Sequence, residues 1–138
     1  MSLPIALDAL GGDNSPHEIV TGARRAVDEL GLEVILVGPP DLIGDPQGLP
    51  VVACTEVIGM DDPPVESMKA KKNSSIVVMN QMASPRAQNR LDVVISAGNT
   101  GACVAASQYF MRRLPGVVRP GICVTVPTFS GPIVLIDV

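Results

Sequence analysis

Short apolar runs alternate along the chain with segments in which apolar residues recur at helical spacing. The runs are bounded by Gly, Pro or Asp, as is typical of buried strands, and they predict strands at residues 4–8, 33–37, 51–55, 91–96, 121–126 and 133–136. The helical spacing predicts helices over about residues 16–30, 65–70, 75–82 and 101–114, with a single helical turn at 41–43.

Strands that alternate with helices build βαβ units, so the pattern predicts an α/β fold around a mainly parallel sheet. Only a short turn through Ser130, Gly131 and Pro132 separates the last two predicted strands, which favours an antiparallel hairpin. The sequence stops at Val138, directly after an apolar strand. We therefore expect these residues to be part of a longer protein.

Composition and charge exclude some classes of function. The 138 residues are 46% hydrophobic, carry a formal net charge of -4 and include only one Tyr and two Phe. Binding of nucleic acid requires a basic surface, and single-strand binders also use stacking aromatics, so we exclude that class. No apolar run reaches the roughly 18 residues of a membrane span and no signal-peptide pattern opens the chain, so we expect a soluble, cytoplasmic protein.

Common cofactor and metal signatures are missing from the sequence. It contains no GxGxxG dinucleotide fingerprint, no P-loop and no GxSxG nucleophile elbow. The three cysteines, Cys54, Cys103 and Cys123, form no CxxC pair, and His17 is the single histidine. We expect buried, reduced thiols, no zinc site, no catalytic cysteine and no cofactor.

The first loop with candidate chemistry, residues 8–16, joins the first predicted strand to the first predicted helix. Ligand sites in parallel sheets gather at the carboxyl ends of strands. Gly11 and Gly12 allow close backbone approach to a ligand, and the carboxylates of Asp8 and Asp13 flank them. A tight turn explains the glycines alone, but an acid at the end of a buried strand costs desolvation unless it has a partner or a task. This favours a functional loop.

A second loop, residues 96–102, joins a buried strand to the last predicted helix. Asn99 or Thr100 is expected to cap that helix, and Gly98 and Gly101 allow close backbone approach. The free amides and the positive end of the helix dipole form an anion site. An ordinary capped helix start explains the same residues, but this loop is expected at the same sheet edge as the first.

A third segment, residues 69–75, places lysines beside two serines in the order Lys-Ala-Lys-Lys-Asn-Ser-Ser. Ammonium groups and hydroxyls suit a phosphate or another anion. A solvated basic stretch before a serine-capped helix explains the segment equally well, and both interpretations stay open from the residues alone.

Five motifs, in this order, resemble those of the phosphate acyltransferases of bacterial lipid synthesis, the PlsX type. They lie at residues 5–16, 71–75, 96–102, 114–120 and 135–138. The motif at 96–102 matches in full, whereas Leu10 stands where the family more usually has Met. The resemblance spans the whole chain, and it implies that residues 1–138 are the N-terminal portion of a single acyltransferase unit whose C-terminal half is absent here.

The resemblance implies a three-layer α/β fold, similar to isopropylmalate dehydrogenases and phosphate acetyltransferases, with helices flanking the sheet. It implies transfer of a long-chain fatty acyl group from acyl carrier protein to inorganic phosphate, giving acyl phosphate for phospholipid synthesis. It also implies a homodimer with peripheral contact to the inner membrane face. We expect this portion alone to be inactive. The alternatives are an acyl-coenzyme A enzyme of the phosphate acetyltransferase kind and a non-catalytic module that binds anions or the carrier.

We expect phosphate itself to be the nucleophile, so the site needs to hold a dianion and to stabilise an oxyanion. Asp8, Lys72 and Asn99 are the predicted catalytic residues, with Asp8 or Asp13 orienting a lysine or another donor. The scheme requires no metal, although the two acids leave Mg²⁺ open. The predicted residues for binding phosphate and substrate are Gly11, Gly12, Asp13, Ser74, Ser75, Ser96, Gly98, Thr100 and Gly101.

Overall fold

The computed structural model describes residues 4–136. In this range the strands are β1 (Ile5–Asp8), β2 (Val34–Gly38), β3 (Val51–Ala53), β4 (Val93–Ile95), β5 (Cys123–Val126) and β6 (Ile133–Ile136). The helices are α1 (His17–Leu30), α2 (Pro40–Ile43), α3 (Pro64–Ala70), α4 (Ser75–Met82) and α5 (Thr100–Phe110).

Four strands form a parallel sheet in the order β3-β2-β1-β4. Strand β1 lies between its two partners, with Ile5 opposite Val34 on one side and Val93 on the other. The predicted mainly parallel sheet is therefore confirmed. Because all four strands run the same way, their carboxyl ends share one edge, and the loops after β1 and β4 lie next to each other there.

Helices cover both faces of this sheet and make a three-layer α/β arrangement. Successive side chains of β1 point to opposite faces, so Ala6 packs beneath α4 and α5 whereas Leu7 packs beneath α1. The core on the α4 and α5 side consists of Ala6, Val37, Ile58, Met68, Ile76, Val77, Met79, Leu91, Ala102 and Ala106. The core on the α1 side consists of Ala9, Val20, Ala23, Val34, Leu36, Ile43 and Leu49.

The last two strands form the predicted antiparallel hairpin, with Cys123 opposite Ile136. The Cys123 side chain is exposed, so the expectation that all three thiols are buried is wrong for this one. Strand β5 pairs only with β6 within the described residues, and nearly all side chains of the two strands are exposed. Half of the predicted motif at 135–138 lies outside those residues.

Helix α5 is shorter than predicted, because it ends at Phe110 rather than near Leu114. Arg112 adopts a left-handed φ of 69°, which breaks the helical path. The side chains that α5 buries are Ala102 and Ala106. These small residues let α3 and α4 pack closely, and Leu114, expected on the buried face, is 76% exposed.

Candidate functional site

The loops that follow β1 and β4 are joined by a buried carboxylate. Asp8 is 2% exposed, and its Oδ2 accepts a hydrogen bond from the Ser96 hydroxyl at 2.8 Å. Its Oδ1 accepts from the Leu10 amide at 3.1 Å, so both oxygens have partners. Ser96 Oγ in turn accepts from the Gly98 amide at 3.0 Å. The predicted proximity of the two loops is confirmed, and Asp8 orients a hydroxyl rather than a lysine.

Two glycines allow this contact between the loops. A Cβ on Gly11 would lie 2.8 Å from the Gly98 nitrogen and 3.0 Å from the Ala97 nitrogen, closer than real Cβ atoms approach. Gly12 adopts a φ of +101°, which other residues rarely adopt. The absence of a side chain at Gly11 therefore serves packing of one loop on the other, where the sequence had suggested approach to a ligand.

Asn99 caps α5, as predicted, by accepting a hydrogen bond from the Ala102 amide at 2.9 Å. Its Nδ2 donates to the carbonyl oxygens of Gly59, Met60 and Asp62 at 3.0, 3.2 and 3.0 Å. The side chain is 5% exposed and both of its polar atoms have partners within the protein. The Asn99 side chain, which the sequence predicts to be catalytic, therefore holds a loop in this structure. An alanine here would cost stability, because it removes the helix cap and the donor to three carbonyl groups.

The first turn of α5 lies at the carboxyl edge of the sheet. Thr100 and Gly101 open the helix and are exposed, and within residues 4–136 their N–H groups donate to no protein acceptor. The Gly98 amide, by contrast, is taken by Ser96. Unpaired amides at a helix N-terminus, with the positive end of the dipole, attract anions. Of the amides predicted to bind phosphate in this loop, those of Thr100 and Gly101 are available.

Ser74 and Ser75 are buried at the N-terminus of α4, whose first turn packs in the same core as that of α5. Ser74 occupies the capping position, but its side chain makes no capping hydrogen bond. Its hydroxyl has no partner among the described residues. A buried hydroxyl without a partner costs about 1–3 kcal/mol, so Ser74 is an unsatisfied donor at the edge where the two helices begin.

Lys72 does not join the loops that contain Asp8 and Asn99. Its side chain lines a cavity of about 530 Å³ together with Tyr109 and Phe110, at the opposite end of α5 from Asn99. The neighbouring Lys71 turns toward the segment that Asn99 contacts. Its ammonium group is bonded to Asp62 and to the Val57 carbonyl. The sequence contained both residues, but which of two adjacent lysines turns inward depends on how the chain leaves α3.

Asp13 is exposed on the first loop, and within the described residues it makes no hydrogen bond or ion pair. Of the two predicted orienting acids, only Asp8 has a donor to orient. No group of three His, Cys, Asp or Glu side chains in residues 4–136 is arranged to hold a metal ion.

Two thiols, Cys54 and Cys103, lie close enough to Asp8 for its carboxylate to raise their pKa. Burial raises the pKa of Cys54 to about 11, and the Asp8 and Glu56 carboxylates add to this shift. Burial also raises the pKa of Cys103. Both thiols therefore stay protonated at neutral pH, which makes them poor nucleophiles.

A family model described as fatty acid synthesis protein matches residues 3–138. The chain belongs to this family. A phosphate acyltransferase of Desulforamulus reducens is 44% identical over 98% of this chain and 42% of its own length. Those of Heliobacterium modesticaldum and Thermotoga maritima are 43% and 38% identical over 97% and 98% of this chain.

The family resemblance expected from the five motifs is thus confirmed. The chain spans about two fifths of the length of these curated relatives, 42% for the first two and 40% for the Thermotoga maritima protein. Within residues 4–136 no helix has the length and apolar character needed to cross a bilayer.

Proposed function

We propose that the complete protein transfers a fatty acyl group from a thioester to inorganic phosphate. Two facts support an acceptor of this kind. The curated relatives are named phosphate acyltransferases, and the family is described as a fatty acid synthesis protein. The residues described here contribute one wall of the proposed site. The rest of the site is supplied by the part of the complete protein that corresponds to the remaining length of the relatives.

The observation that carries the proposal is the first turn of α5. Thr100 and Gly101 are exposed residues whose amides have no acceptor among the described residues, and they lie where the loops after β1 and β4 meet. An inorganic phosphate bound there would accept hydrogen bonds from the amides, and the positive end of the helix dipole would stabilise its negative charge.

The chemistry needs no nucleophile from the protein. A phosphate oxygen attacks the thioester carbonyl carbon, and the tetrahedral intermediate collapses as the carbon–sulfur bond breaks. The thiolate leaves and takes up a proton, and the acyl group remains on phosphate as a mixed anhydride. The protein supplies alignment and electrostatic stabilisation, which is where most of the rate enhancement of such a site arises.

Asp8 has a supporting position in this scheme. A carboxylate facing phosphate would repel it, but both Asp8 oxygens already accept hydrogen bonds from the protein. Through Ser96 the carboxylate orders the Gly98 amide and with it the turn that leads into α5. The negative charge is therefore used to fix the loop.

We further propose a long-chain acyl-[acyl carrier protein] as the donor, on the strength of the motif resemblance. The test incubates the complete protein with this donor, and in parallel with acyl-coenzyme A, each with and without phosphate, while free thiol is measured. Phosphate-dependent thiol release from the carrier is the expected result. Faster release from coenzyme A would favour an enzyme of the phosphate acetyltransferase kind. Release that ignores phosphate, or none from either donor, would overturn the proposal.

A further inference from the structure

An ion pair fixes the loop that precedes α3. The Lys71 ammonium lies 2.5 Å from Asp62 Oδ2 and 2.8 Å from the Val57 carbonyl oxygen. The same Asp62 oxygen accepts a hydrogen bond from the Gly59 amide at 2.9 Å. Both side chains are about one third exposed, at 34% and 32%, and the Lys71 ammonium lowers the pKa of the Asp62 carboxyl. Residues 57–62 are thus closed into a compact loop by one lysine and one aspartate.

This loop is tied directly to the start of α5. Three of its carbonyl groups accept hydrogen bonds from Asn99 Nδ2, and the other end of the Asn99 amide caps the helix. Asn99 is therefore the link between the closed loop and the turn that carries the Thr100 and Gly101 amides. If the loop opened, the carbonyl groups that orient the Asn99 side chain would separate.

A second contact joins the same region to α5. A Cβ on Gly101 would lie 2.6 Å from Pro64 Cγ and 2.9 Å from Pro64 Cβ, so the first turn of α3 rests on the backbone of Gly101. Lys71 directly follows α3 and pairs with Asp62, two residues before the helix begins. The ion pair therefore closes the segment from both ends of α3 around the start of α5.

We propose that Lys71 and Asp62 are positioning residues for phosphate, which act through Asn99 and Pro64 on the first turn of α5. This inference rests on the proposed function, because it takes that turn to be the place where phosphate binds. Neither side chain touches phosphate in this account. Their effect is to hold the Thr100 and Gly101 amides in one orientation, so that the anion does not have to order them when it binds.

The test uses the complete protein with Lys71→Met, with Asp62→Asn and with both changes. Arg90→Met and Asp61→Asn are the matched controls, since they make the same charge changes at exposed positions, the second within the same loop. Two quantities are measured for each variant. One is the phosphate concentration for half-maximal turnover, together with kcat. The other is the phosphate concentration for half-saturation of binding, obtained by fitting the logarithmic rise of Tm with phosphate concentration, which does not depend on turnover.

Each single variant should raise both phosphate half-saturation values by about tenfold, which corresponds to roughly 1.4 kcal/mol of binding free energy. The half-saturation values of the double variant should not exceed those of the single variant that binds phosphate less tightly, because the two residues act as one pair. Both values should stay at the wild-type level in Arg90→Met and Asp61→Asn. A simple structural role would lower Tm in the absence of phosphate but leave half-saturation unchanged, and that result would overturn the proposal.

Two further variants test separately the ion pair and the hydrogen bonds of Asn99. Lys71→Arg keeps a cation next to Asp62 and should restore most of the phosphate affinity. Asn99→Ser keeps a helix cap but loses the donor to the three carbonyl groups, so it should weaken phosphate binding as the ion-pair variants do. Wild-type protein that shows a phosphate-dependent Tm but no acyl transfer would reject the proposed function alone. Wild-type transfer with unchanged half-saturation in every variant would reject this inference alone.

Discussion

The Asp8 carboxylate accepts a 2.8 Å hydrogen bond from the Ser96 hydroxyl, and the two residues are 88 positions apart in the chain. The bond connects the ends of neighbouring parallel strands, β1 and β4. It brings together two loops that are each rich in glycine, at the edge where α/β sheets bind ligands. The candidate site depends on this connection, because the turn into α5 is built on the Gly98 amide that Ser96 holds.

Ser96→Ala should lower the free energy of unfolding by about 1–3 kcal/mol, because it removes one partner each from a buried carboxylate and a backbone amide. It should also reduce turnover, since the loop before α5 is no longer fixed. The measurement is urea unfolding together with the thiol-release assay on the complete protein. Ser84→Ala is the control, as the Ser84 hydroxyl serves only an exposed loop. Equal stability of the two variants would contradict the role assigned to Ser96.

Gly11→Ala and Gly22→Ala should change stability in opposite directions. At Gly11 the added methyl group meets the backbone nitrogen atoms of Ala97 and Gly98, and such overpacking costs about 1–3 kcal/mol. Gly22 lies within α1, where a Cβ meets nothing within 4 Å, so alanine should stabilise by about 0.5–1 kcal/mol. Urea midpoints measure both changes. A Gly11→Ala variant as stable as wild type would show that the loop contact is described wrongly. A destabilised Gly22→Ala would show that the open space around Gly22 in α1 is described wrongly.

Ser74→Ala should cost neither stability nor activity. Within residues 4–136 the Ser74 hydroxyl is fully buried and has no partner, so its removal should leave the free energy of unfolding unchanged or raise it by about 1 kcal/mol. Because the hydroxyl is shielded from solvent, it cannot contact a bound phosphate, and turnover should stay near the wild-type value. Denaturation and thiol release are measured on the same preparation. Lower stability or lower turnover is the result that this account cannot accommodate.

The Cys54 thiol should make the protein less stable as the solution becomes alkaline. Burial raises its pKa to about 11 in the folded protein, whereas an unfolded thiol titrates near about 8.5. Between these values the unfolded chain has lost the proton and the folded chain retains it, so the free energy of unfolding falls as pH rises. The measurement is urea unfolding at a series of alkaline pH values under reducing conditions.

Cys54→Ala should flatten this dependence, and Cys123→Ala, which retains the buried thiol, should keep it. Part of the slope should persist in Cys54→Ala because burial raises the pKa of Cys103 as well. A pH dependence that is identical in wild type and Cys54→Ala would show that the Cys54 thiol is accessible to solvent in the folded protein.

The sequence predicts the sheet and the position of the two loops, because strand and helix periods are local and parallel strands share one carboxyl edge. It does not predict how Gly11 packs on Gly98, since that contact depends on the relative height of two strands far apart in the chain. The same limit applies to the Asn99 amide. Its capping role follows from local sequence, but its three carbonyl partners belong to a loop about 40 residues earlier.

Lys71 and Lys72 show the same difference between what the sequence predicts and what only the structure reveals. The motif at 71–75 identifies a basic segment, and both lysines have the required chemistry. Lys71 leaves α3 with a non-helical ψ of 69°, and its side chain turns back toward Asp62. The helical pattern of α3 predicts where the helix ends but carries no information on this last residue, so the ion pair appears only in three dimensions.

The central claim is that phosphate is the acyl acceptor, and phosphorus-31 NMR tests it most directly. The complete protein is incubated with inorganic phosphate and a long-chain acyl thioester of the carrier, and the phosphorus signal is followed over time. The account predicts a new resonance of an acyl phosphate that grows with thiol release and disappears when hydroxylamine is added. Thiol release with inorganic phosphate as the only phosphorus species would contradict it, because the acyl group would then have gone to water.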